Sequence, residues 1–148
     1  MTWFLELISN PYLLTGLGAW FLAQLLKTII YGIINKEIRW ERLVGDGHSA
    51  TVTSVAMMAG LRCGWGSFEF ALAGILAIIV CHDAMGVRRE TGKHAILINE
   101  LVQAFEKLYD DELPEQKLKT FVGHTPVQVL AGIALGAASA VLMHWVLP

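Results

Sequence analysis

Four apolar stretches alternate along the chain with short polar ones, and a fifth stretch is apolar on one face only. Asn10-Pro11 opens the first apolar stretch, which runs to about Asn35; a proline suits the first helical position because its missing N–H has no partner there anyway. Only Gln24 and Lys27 break it, three residues apart and so on one face of a helix. A lysine inside a span is either a functional, paired group or one that snorkels to water along its own stem. Ala50–Leu61 is a second, shorter helix, on the order of 20 Å long, suited to leaning on its neighbours more than to facing lipid throughout. Phe68 to about Met85 is a third span. Pro126–Leu147 is the last, with no formal charge; its 22 or so residues reach about 33 Å as a helix, enough to cross a bilayer. Between these, Lys93–Leu108 places Ile96, Leu97, Leu101, Val102, Phe105 and Leu108 at helical spacing and gives the other face to Asn99, Glu100, Gln103, Glu106 and Lys107. That period predicts an amphipathic helix outside the bilayer or on its surface. Trp3–Ile8 reads as an interfacial turn, Lys36–Arg42 as a charged loop and Tyr109–Lys119 as a polar connector.

The expected architecture is therefore all-α: a polytopic membrane helical bundle with about four transmembrane crossings plus one amphipathic surface helix. Composition agrees, since 55% of the 148 residues are hydrophobic and only 16% charged, against about a quarter charged in soluble domains. The length suits a single domain over residues 1–148. Met1–Asn10 holds no Lys or Arg and the apolar stretch after it is long, so the N-terminus reads as a retained span and not a cleaved signal. Basic residues are too few and scattered for a nucleic-acid surface. Cys63 and Cys81 read as small core residues, with neither a zinc site nor a disulfide framework indicated. With four crossings, Lys36, Arg39, Arg42, Arg88, Arg89, Lys93, Lys117 and Lys119 fall on one side and only Arg62 on the other. The positive-inside rule then gives a multi-pass protein of the cell membrane with both termini outside and the loops at 36–48 and 86–125 in the cytoplasm.

Three polar stretches lie on that one face: Gly45-Asp46-Gly47-His48-Ser49, His82–Arg89, and Val122-Gly123-His124-Thr125-Pro126. Thr125 can cap a helix begun by Pro126, which puts His124 beside unpaired amides and the positive end of a helix dipole, where an anion is welcome. His48 likewise precedes a helix. Two histidines so placed, with Arg88 and Arg89, meet the needs of phosphoryl transfer: one imidazole attacks phosphorus, the other protonates the leaving oxygen, and guanidinium forks hold the non-bridging oxygens. The plainer reading makes them surface histidines and a basic topology anchor.

The stretches Ala19-Trp20…Ala23-Gln24…Lys27, His48-Ser49-Ala50-Thr51-Val52-Thr53, Asp83-Ala84…Gly86-Val87-Arg88-Arg89…Gly92-Lys93 and Gly123-His124-Thr125-Pro126-Val127…Val129…Gly132 resemble, in order, the divergent branch of the type 2 phosphatidic acid phosphatase superfamily. The wider superfamily holds lipid-phosphate and acid phosphatases and vanadate haloperoxidases, with a phosphate-sized pocket in a helical bundle. The resemblance implies a hydrolase of a lipid phosphate or pyrophosphate with membrane lipid as its surroundings. In it His124 is the nucleophile and His48 the general acid. Arg88, Arg89, Lys27, Lys93, Ser49 and Thr125 bind substrate, and Gln128 and Asp83 orient.

Two positions differ from the family pattern. Asp46 stands in a segment that usually carries proline and serines before the histidine, and so sets a negative charge beside a phosphate. Gln128 replaces a glutamate one turn beyond His124; it can orient the ring but not charge-stabilise it. The alternatives to a phosphatase are a non-catalytic anion-binding or scaffold protein that keeps the fold, and a divalent-metal variant of the site using Asp46 and Asp83; no cofactor is otherwise expected. Gly132, Gly136 and Ala140 form a small-residue stripe suited to internal packing or to a homodimer.

Overall fold

A computed structural model describes residues 2–36, 47–109, 118, 120 and 123–147. The elements are α1 (Thr2–Ile8), α2 (Pro11–Asn35), α3 (His48–Cys63), α4 (Phe68–Met85), α5 (Val87–Tyr109) and α6 (Pro126–Val146), with no strand among the described residues. The protein is an all-helical membrane bundle. Most of the expected charged loop, Asp46, and nearly all of the connector at 109–119 lie outside the described residues.

The helix ends follow local chemistry. Asn10 caps α2: its side-chain oxygen accepts the N–H groups of Tyr12 and Leu13 at 3.0 and 3.1 Å, and Pro11 follows it. The 25 residues of α2 and the 21 of α6 are long and apolar enough to cross a membrane, as is the apolar part of the stretch beginning at Phe68. The helix α3 has 16 residues, about 24 Å, and is the short member of the four expected crossings. The amphipathic helix begins at Val87, six residues before the apolar period suggested. Its first turns are charged, so periodicity alone could not see them.

The chain forms two compact units, residues 1–81 with 127–148, and residues 82–126. In the first, α3 is the central element. Its Ala50, Ser54, Ala56, Met58, Ala59 and Gly60 are buried. Gly16 of α2 lies so close to α3 that a Cβ there would stand 2.9 Å from Val55 Cγ2. On α6, a Cβ at Gly132 would collide with the Ser49 hydroxyl, and one at Gly136 with the Ala50 carbonyl group. The small-residue stripe of α6 is thus occupied within the chain by α3. At the far end of α3, the Arg62 guanidinium donates to the Leu147 carbonyl at 2.8 Å, capping the last turn of α6 with a cation. These contacts set α3 and α6 side by side in the same direction. Side chains of α2, α4 and α6 such as Phe21, Ile33, Ile78, Ile79, Leu130 and Leu142 point outward, as lipid-facing residues should.

In the second unit, Gly86 separates α4 from α5. Its N–H donates to the His82 carbonyl at 2.8 Å and its own carbonyl takes the Glu90 N–H at 3.0 Å. The Ala84 carbonyl, in the last turn of α4, accepts the His124 N–H at 3.0 Å, two residues before α6 begins. The end of one apolar helix and the start of the next are therefore at one place. Farther along α5, the Asn99 side chain donates to the Leu118 carbonyl and accepts its N–H, both at 3.0 Å.

Candidate functional site

The second unit brings together four of the residues expected at an anion site: His124, Arg88, Arg89 and Asp83. The turn that carries His124 has a fixed shape. Gly123 has φ +86°, a conformation that favours glycine, and a Cβ on it would overlap the Arg89 amide and lie 2.6 Å from Arg89 Cα. Backbone thus lies directly on backbone at the first turn of α5, and the His124 N–H bond to Ala84 locks the next residue. The His124 side chain is half-buried there, whereas Thr125, Arg88 and Arg89 are exposed. Arg88 and Arg89 occupy the second and third positions of α5, so cationic side chains stand with helix N-terminal amides, all of one electrostatic sign.

Two carboxylates pair with basic side chains of this unit, Asp83 with Arg88 and Glu90 with Lys93. Arg88 Nε donates to Asp83 Oδ2 at 2.7 Å, across the Gly86 break. That bond fixes the plane of the guanidinium, and it makes Asp83 a partner of Arg88. Lys93 Nζ donates to Glu90 Oε1 at 2.6 Å. The ammonium beside Glu90 holds its carboxyl below the usual carboxylate range.

The other expected residues belong to the first unit. His48 is exposed in the first turn of α3. Its neighbour Gly47 is buried, and a Cβ at 47 would come 2.9 Å from Trp20 Cδ1 and 3.2 Å from Gln24 Nε2. Trp20 and the fully buried Gln24 therefore seat the start of α3 on α2. Ser49 is half-buried against Gly132 of α6, Lys27 is on the exposed surface of α2, and Gln128 is exposed one turn before Gly132.

Sequence reasoning did not find the Ala84 carbonyl or Glu90 as local partners. Glu90 was detectable from its i,i+3 spacing to Lys93. The Ala84 carbonyl was not, since every residue has one. Among the described residues no three His, Cys, Asp or Glu side chains cluster as metal ligands, and Asp46 lies outside those residues. The turn between α4 and α5 thus carries Asp83, Arg88 and Arg89, and Gly123-His124 is seated against it.

The chain is 34% identical over 142 residues to the uncharacterized membrane protein YuiD of Bacillus subtilis (strain 168), covering 86% of this chain and 90% of that protein. No solved structure matches it. The family described as Divergent PAP2 matches residues 8–139. With that match spanning all four motif stretches and nearly every helix, the chain belongs to the Divergent PAP2 family.

Proposed function

We propose that this membrane protein is a phosphatase that hydrolyses a lipid phosphate or pyrophosphate. The observation that carries the reading is the seating of Gly123-His124 on the first turn of α5, beside Arg88 and Arg89. His124 attacks phosphorus, forming an N–P bond as the bond to the leaving oxygen breaks, and His48 gives that oxygen its proton. Water then attacks the phosphohistidine, His48 takes a proton from the water, and phosphate leaves with the imidazole restored. Arg88 and Arg89 hold the non-bridging oxygens, with Lys27, Lys93, Ser49 and Thr125 as further contacts to substrate. Gln128 orients His124. Clustering of basic residues in 36–48 and 86–125 favours a cytoplasmic site with both termini outside.

Phosphate release from a panel of lipid phosphates in reconstituted membranes, with and without chelator, tests this. Release by the parent that is abolished in His124→Ala and unaffected by chelator supports it. Gln128→Glu supplies the missing negative partner of the imidazole and should raise turnover, since acid–base support of this kind is worth roughly 10²–10⁴-fold. Chelator-sensitive release points instead to a metal at Asp46 and Asp83. No release from a folded parent or from Gln128→Glu overturns the catalytic reading in favour of a protein that binds the anion without turnover, a reading to which the Asp83 carboxylate beside Arg88 lends weight.

A further inference from the structure

The second unit leaves one large apolar surface uncovered. On α5 the face used within the protein is small and polar: Gly92 and Ala95 are buried, and Asn99 binds the backbone of Leu118. The opposite face carries Leu97, Leu101, Phe105 and Leu108, and each is more than half exposed. A soluble helix would do the reverse, turning its leucines to the core. We infer that α5 is an interfacial membrane helix, its Leu97–Leu101–Phe105–Leu108 face covered by the phospholipid leaflet at the membrane face where α4 ends and α6 begins.

Three features select lipid as the occupant. First, α5 is joined to α4 through Gly86 alone, and the Ala84–His124 hydrogen bond brings the start of α6 to the same place, so the helix starts at the membrane surface. Second, Arg89, Lys93 and Lys107 fall at i, i+4 and i+18, on one flank of the apolar face, where basic side chains reach phospholipid headgroups while their stems lie along the acyl boundary. Third, the apolar face is interrupted only near its start, by Glu90 and His94, so the charged first turns stay at headgroup depth and the part from Leu97 onward sinks. This placement is independent of turnover. It also sets Arg88 and Arg89 at the depth of lipid phosphates.

The test uses the full chain in vesicles of phosphatidylcholine and phosphatidylglycerol containing a phospholipid with a carbene-generating group in its acyl chain, with adducts mapped by mass spectrometry. Leu97, Leu101, Phe105 and Leu108 should be labelled as strongly as Ile78 and Ile79 of α4, and Ala95 and Asn99 should not. The double variant Leu101→Glu/Phe105→Glu should lose the α5 adducts and keep those on α4, which also reports that the bundle remains folded. Labelled α4 with unlabelled α5 in the parent overturns the inference, as does coupling of Leu101→Cys or Phe105→Cys, through that position, to a second copy of the chain by a short bis-maleimide.

Discussion

The helices α3 and α4 invert the rule that governs soluble proteins. The first is rich in Ser, Thr, Ala and Gly and is the more buried; 12 of the 18 residues of the second are Leu, Ile, Val, Phe or Ala, and only Cys81 of it is buried. The solvent explains the inversion. Lipid is as apolar as leucine, so burying leucine against protein in a membrane yields little, and helices associate through close approach and polar contacts instead. Ser54 donates to the Thr51 carbonyl at 2.8 Å within α3, and its hydroxyl lies 3.4 Å from the Thr15 carbonyl of α2. Gly136 lets α6 approach the backbone of α3, and Gly16 of α2 makes room for the Val55 and Thr51 side chains of α3. In the membrane, small and polar residues mark the interior and large apolar ones the exterior.

The strongest way to break that contrast is to enlarge the interior. Gly136→Leu drives a side chain into the Ala50 carbonyl, and should destabilise the protein by about 3 kcal/mol, the upper end of overpacking costs, or displace α6. Thermal unfolding in lipid nanodiscs reads this, and a change under 1 kcal/mol or so would mean that α3 and α6 are not in contact. Next in size is Gly123→Ala, which combines a left-handed backbone with overlap on Arg89 and should lose about 1–2 kcal/mol or unseat the turn. Faster hydrogen exchange at the His124 amide is its specific signature. The contrast is sharpened on the lipid side: Ile79→Ala on α4 leaves no cavity that lipid cannot fill and should change stability by about 0.5 kcal/mol or less. The smallest effect belongs to Glu90. Its carboxyl is lowered by Lys93, so its contribution is present above the ordinary carboxylate range and fades as pH falls through the lowered value. Because the pair is open to water, Glu90→Gln should leave the unfolding temperature unchanged at neutral pH and remove only a slight acid dependence.

Much of the fold was legible because its signals are local. Asn10-Pro11 starts α2 where a cap and a proline belong, Pro126 starts α6, and α4 occupies Phe68–Met85, the limits its composition marks. The start of α5 was not legible from periodicity, because the turns carrying Arg88, Arg89 and Lys93 have no apolar face to repeat. Of the candidate site, the residue types and their order were readable; that Gly123 must be glycine, with its left-handed backbone against Arg89, was not.

By itself, then, the sequence determined that the fold is all-helical, which long helices are apolar enough for lipid, and which polar stretches interrupt them. Each of these depends on length, composition and neighbours within a turn or two. Only the tertiary structure decided that Ala84 accepts the His124 amide, that Asp83 reaches Arg88 across a helix break, that Gly132 and Gly136 meet α3 of the same chain, and that the leucines of α5 face away from its protein contacts. A backbone carbonyl carries no side-chain signature, and a glycine stripe or an amphipathic period states that a face is special without stating what covers it.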